Sequence, residues 1–127
     1  MSTYQAALEV MSALAPKLEA LEVIVTIDQQ QAQSAIDAGA ACVYIGVPDI
    51  NDMAASMLEL DFQILIISPS RVDKATAWRS LDQLVAAVDE AIGLDAARAY
   101  DWRTPHGDTY PAFDATYTQI RPKENTL

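Results

Sequence analysis

Between Met57 and Gly93 the chain changes its hydrophobic period once, and that change limits what it can fold into. Leu58, Leu60, Phe62, Ile64 and Ile66 occupy every second position, with Glu59, Asp61 and Gln63 between them. A period of two belongs to a strand with one apolar face and another that begins polar. After Ser68-Pro69-Ser70 the period becomes helical. Trp78, Leu81, Leu84, Val85, Val88 and Ile92 then form one stripe, with Asp73 as a cap and Gly93 as a stop. A strand and a helix that are each apolar on one side must cover one another, which points to a layered domain.

The remaining segments fill in the layers. Residues 3–21 predict a helix capped by Thr3 or Ser2, with Tyr4, Leu8, Met11, Leu14, Leu18 and Leu21 at helical spacing. Pro16 falls inside it and predicts a kink or a break; the stripe continues past it, which favours the kink. Val23–Ile27 is a β-branched run and reads as a strand. Residues 28–40 leave two readings open. Asp28 and Gly39 would bound a short helix, but no apolar stripe anchors Gln29–Gln33, which suits an exposed loop equally well. Ala41–Val47 is a strand ended by Pro48-Asp49, and residues 48–56 read as a connection carrying Asp49, Asn51 and Asp52. Ala97–Arg103 and Ala112–Ile120 are strands joined through the turn formers Thr104-Pro105-His106-Gly107-Asp108.

The expected order is helix, strand, strand, strand, helix, strand, strand. That is an α+β two-layer sandwich, a mostly antiparallel sheet of about five strands with two main helices on one face. The other sheet face is then left without helices. One domain spans residues 1–122, and 123–127 form a flexible C-terminal tail.

Charge narrows the partners. The formal net charge is −10, and it is unevenly spread: residues 1–70 hold one base (Lys17) against nine acids, residues 71–127 seven bases against nine acids. Such a surface repels phosphate and disfavours specific binding of DNA or RNA. The longest apolar run, Ile64–Ile67, is far too short to span a bilayer, and the N-terminus lacks the pattern of a signal peptide. Cys42 is the single cysteine, so no internal disulfide forms and a reducing cytoplasm is expected.

Little in the chain resembles a reaction centre. Cys42 and His106 are the one nucleophile-and-base combination, but Cys42 lies in an apolar strand and His106 in a turn. Asp49 with Asp52, and His106 with Asp108, lack zinc or calcium ligand spacing. Ser68-Pro69-Ser70 precedes a helix but lacks the glycines and lysine of a phosphate loop. Glu59 and Asp61 share a strand face and either work as an acid/base pair or form a solvated or interfacial edge. No catalytic residue, metal or cofactor is therefore expected. The aromatics Tyr100, Trp102, Tyr110, Phe113 and Tyr117 alternate along two strands, so some face away from the helices, as residues of core or of a subunit interface.

The ordered series of segments resembles a known family. An N-terminal helix leads to a β-rich region and then to Ile64-Leu65-Ile66-Ile67-Ser68-Pro69-Ser70. The helix Asp73-x-x-x-Ala-Trp-x-x-Leu-Asp-x-Leu-x-x-Ala-Val88 follows, and Tyr110-Pro111-Ala112-Phe113 opens the last strand. This is similar to small tail terminator proteins of long-tailed bacteriophages, particularly those infecting actinobacteria, over roughly residues 3–120. One departure is Gln29–Gln33, whose helical alternative stands where the family has a short loop.

The resemblance implies a non-enzymatic virion protein, assembled in the host cytoplasm and placed at the head-proximal end of the tail. It implies a homo-hexameric ring that caps the major tail tube protein, halts its polymerisation and meets the head–tail connector. DNA would pass through without specific binding, and no membrane is involved. Glu59, Asp61, Gln63, Tyr100, Trp102 and Tyr117 are the residues expected at a subunit interface or the lumen. Three alternatives remain: a head-completion or neck protein of the same virion, an acidic inhibitor that mimics DNA, and a small enzyme or ligand-binding domain, for which no constellation of residues stands out.

Overall fold

The computed structural model describes residues 2–69 and 74–122. Helix α1 (Thr3–Leu18) leads through a 3-10 turn (Glu19–Leu21) to β1 (Ile24–Thr26), α2 (Gln29–Asp37) and β2 (Cys42–Ile45). Then come β3 (Asp49–Ala54), β4 (Met57–Ile67), α3 (Lys74–Ile92), β5 (Ala96–Arg103) and β6 (Thr109–Pro122). They form the expected α+β architecture, with six strands in one sheet ordered β1-β2-β4-β6-β5 and β3 beside β4. Every pairing is antiparallel except β1 with β2.

The alternating strand and the striped helix make the main core. Leu60, Phe62, Ile64 and Ile66 of β4 are buried with Leu81, Leu84 and Val88 of α3 and with Ala6, Ala7, Val10, Leu14 and Leu18 of α1. Trp78 meets Phe113 edge-on, with ring centroids 5.4 Å apart. α3 ends as its sequence requires. Gly93 takes φ +76°, its N–H donates to the Asp89 carbonyl at 2.7 Å, and Leu94 N–H donates to Asp89 Oδ1 at 2.8 Å. The expected Asp73 cap and the flexible tail at 123–127 lie outside the described residues.

α1 takes one of the two caps its sequence offers and departs from expectation in its buried face. Ser2 is its cap, with Oγ accepting from Gln5 N–H, and the helix continues through Pro16 to Leu18 without a break. Its buried face is also rotated toward alanine. Ala6 and Ala7 are sealed against the core while Tyr4, expected on the apolar stripe, is 58% exposed. The small side chains of Ala6 and Ala7 occupy the face turned to the core, and the Tyr4 ring lies outside it.

Within residues 28–40 the chain forms a helix, Gln29–Asp37. Asp28 Oδ1 accepts from Gln30 N–H at 2.9 Å, and Thr26 Oγ1, which itself accepts from Asp28 N–H, donates to Gln31 Oε1 at 2.7 Å. α2 corrects the expectation of a bare second face. Its Ala32, Ala35 and Ile36 cover Cys42, Ile67, Trp102, Tyr110 and Ala112 on the side opposite α1 and α3. As a crossover helix it also makes β1 and β2 parallel neighbours instead of a hairpin.

The supposed connection at 48–56 is likewise a strand. β2 and β3 run along the same edge of β4 as one interrupted strand. Ile45 stands opposite Ile64 and Asp49 opposite Asp61, so the β2–β3 side takes four steps where β4 takes three. Gly46 N–H closes the gap on Gln63 O at 2.9 Å, and a second irregularity separates Asp52 from Ala54. All six residues of β3 are exposed.

Phe62→Ala should cost about 3–5 kcal/mol, because it deletes a ring with 2% exposure at the centre of the larger core. Gly93→Ala should cost about 1–2 kcal/mol through its left-handed backbone alone. Urea titrations of both variants against the parent check these values.

Candidate functional site

Paired residues in a sheet share a face, so the register assigns every side chain. On the face opposite α1 and α3, three kinds of row follow one another. Asn51, Glu59 and Ile120 form one row; Asp49, Asp61 and Thr118 the next; Gln63 with Thr116 a third. Beyond these, Arg98, Asp114 and Leu65 align, then Tyr100, Ala112 and Ile67. α2 covers the end nearest Ile67 and Cys42. The end bearing Glu59, Asp61 and Gln63 carries no helix among the described residues, so their expected placement away from the two main helices holds.

This open end is acidic, and its own amides and hydroxyls organise it. Asp49 and Asp61 are direct cross-strand partners, a like-charge arrangement that costs stability when nothing intervenes. Here the Asn51 Nδ2 donates to Asp61 Oδ2 and, at 3.4 Å, to Glu59 Oε2, while Thr118 Oγ1 donates to Asp61 Oδ1 at 3.2 Å. Gln63 Nε2 reaches both oxygens of Asp114 at 3.2 Å. The result is a flat ladder of carboxylates held in register by neutral donors. It presents acceptors to whatever faces it.

The aromatic candidates divide between the two faces. Tyr100 lies on the same face as the acidic ladder and is 43% exposed. Trp102 shares that face but is 8% exposed, held against Tyr110 at a centroid distance of 6.0 Å inside the second core. It belongs to the interior of the chain itself, contrary to the interface or lumen expectation. Tyr117 is on the opposite face, half-buried against Phe62 at 5.6 Å. Its hydroxyl accepts from Gln119 Nε2, Gln119 Oε1 accepts from Arg121 Nε, and Arg121 reaches Glu9 of α1 at 2.8 Å. That chain ties the end of β6 to α1. Asn51 and Asp49 were read only as residues of a connection, and Thr118 and Asp114 were missed, because β3 and the pairing partners of β4 are not readable without the register.

The reactive groups are far less organised. Cys42 is sealed beneath α2, and burial pushes its thiol from an ordinary 9.0 up to about 12. His106 is exposed in the β5–β6 turn, which is closed by Thr104 N–H to Asp108 O at 2.8 Å and by Gly107 N–H to Thr104 O at 3.0 Å. A shallow groove of about 290 Å³ between α3 and the start of β5 is lined by Asp82, Val85, Ala86, Asp89, Leu94, Ala96 and Ala97; Asp89 there is engaged in ending α3. Among the described residues no group of three His, Cys, Asp or Glu is placed to hold a metal, and no helix is long and apolar enough to cross a membrane.

Two outcomes follow from this chemistry. Asn51→Ala should leave Glu59, Asp61 and Asp49 facing one another and lower stability by about 1 kcal/mol, with the loss shrinking in 1 M salt. Urea titrations at two ionic strengths measure it. Cys42 stays protonated in the folded state while the unfolded thiol ionises, so its contribution is complete below pH 9.0 and is lost as pH rises toward about 12. Thermal melts across that window should show this fall, and Cys42→Ala should flatten it. Compared with known proteins, the chain matches no family model and no curated protein.

Proposed function

We propose that this protein is a structural subunit of a bacteriophage virion, a tail terminator that forms a ring on the finished tail tube and joins the tail to the head. The observation that carries the reading is the acidic ladder of Glu59, Asp61 and Asn51 on a broad sheet face. A surface of mutually bridged carboxylates suits contact with a neighbour or passage of DNA, because fixed negative charge keeps phosphate from adhering. The sequence of segments around Ile64–Val88 supports the same role by its resemblance to tail terminators.

In this role the partners are further copies of the chain, the tube protein below and the connector above; the reaction is assembly and no bond is made or broken. A DNA-mimicking inhibitor is less well supported. Its carboxylates would have to follow a phosphate backbone, whereas here Asn51, Gln63, Thr116 and Thr118 separate them.

Free protomers should associate weakly and be ordered by the tube end, giving monomers at low micromolar concentration in analytical ultracentrifugation. Removing the gene from the phage that encodes it should give overlong tails and detached heads in negative-stain images. Normal virions would overturn the reading. Glu59→Lys with Asp61→Lys should reduce phage titre at least tenfold while the purified variant stays folded.

A further inference from the structure

We propose that protomers join by strand addition, the free edge of β3 in one copy pairing antiparallel with the free edge of β5 in a second copy of this chain. The inference rests on the ring-forming reading above and names the surface that would build the ring. Among the described strands, β3 pairs only with β4 and β5 only with β6, so each ends the sheet on its own side. Each therefore presents a row of backbone donors and acceptors to a further strand.

Direction, face and space agree. β3 and β6 run opposite to β4, and β5 runs opposite to β6, so β3 and β5 are antiparallel to one another. A second copy carried sideways along the sheet thus meets the first in the antiparallel sense, with α1 and α3 of both copies on one side. The place beside β3 is open, since β1 extends only along Cys42–Tyr44 of β2, level with Leu65–Ile67 of β4.

Charge and size select the register. The pairing that sets Asn51 against Arg98 also sets Ile50 against Ala99 and Asp49 against Tyr100. Arg98 then lies diagonal to Asp49, within reach of a long side chain. Ile50, 50% exposed in the protomer, covers exposed Ala99. Moving the register by two residues in one direction sets Asp49 directly opposite Arg98 but opposes Asp52 to Asp95, just before β5, so one opposite-charge pair is offset by a like-charge one; in the other direction it opposes Ile50 to Asp101. Pairing β3 with β3 instead would bring together strands that carry Asp49 and Asp52 and no base.

The same register has a consequence for closure. Asn51 is level with Glu59, and Arg98 with Leu65, so each copy is displaced along the strands by the distance from Glu59 to Leu65, about 20 Å. Four strands, β3-β4-β6-β5, separate successive junctions, about 19 Å across the sheet. That slope is about 45°, the tilt at which sheets close on themselves. A head-to-tail contact with this slope forms a ring when the rotation between successive copies closes, and an open filament when it does not.

Cysteine trapping tests it. Asn51→Cys and Arg98→Cys lie too far apart in one protomer to join, because three strand spacings already exceed the reach of a disulfide. Equimolar mixing of the two single variants at several hundred micromolar, under mild oxidant, should give a mixed disulfide dimer at least tenfold above either variant alone. The double variant should give a ladder that ends at a closed ring. Ile50→Cys with Ala99→Cys probes the same register on the other face and guards against a folding defect in the first pair. Absence of mixed dimer from both pairs, or an Asn51→Cys homodimer as the main product, overturns the proposal. If mixed dimers form but phage lacking the gene have normal tails, the strand pairing stands and the tail reading falls. If tails are overlong but neither pair crosslinks, the reverse holds.

Discussion

The structure depends on the pairing of β4 with β6. Eleven consecutive residue pairs, Met57 with Pro122 through Ile67 with Ala112, run without interruption. Every other element is placed against that ribbon. β2 and β3 share its first edge, β5 takes part of the second, α3 and α1 cover one face, and α2 covers one end of the other. Because side chains alternate in a strand, fixing this one register fixes which residues enter each core and which face water.

That dependence explains what was legible in the sequence. β4 was readable because Leu58–Ile66 alternate with polar residues over a long stretch, and α3 because its stripe is broad and bounded by Gly93. The main core followed from those two. β3 was invisible because all six of its residues are exposed, and a strand that buries nothing shows no period. α2 was left undecided since it packs through Ala32, Ala35 and Ile36, a stripe too small to stand out beside its glutamines. Both omissions concern weakly apolar segments whose structure is imposed by neighbours.

The candidate surface was legible only in half. Glu59, Asp61 and Gln63 could be placed on one strand face from alternation alone. Their partners Asn51, Thr118 and Asp114 come from other strands, and no local pattern reveals which residues a register brings together. Trp102 and Tyr117 show the same limit. Each sits in an alternating strand, but the parity that sends Trp102 under α2 and Tyr117 onto Phe62 is set by pairing with β4 and β6. Aromatic character indicated burial of some kind; it could not indicate which layer.

The link from Tyr117 through Gln119 and Arg121 to Glu9 has a mechanical meaning. It fastens the last turn of the sheet ribbon to the first half of α1, so the two ends of the described chain are held to one another. A pull along β6 is therefore shared between that tether and the ladder to β4, whose hydrogen bonds lie across the direction of the load. Rungs loaded in this way resist together and do not open one after another. A chain built on this plan can carry tension along its strands without loading the outer edges of β3 and β5.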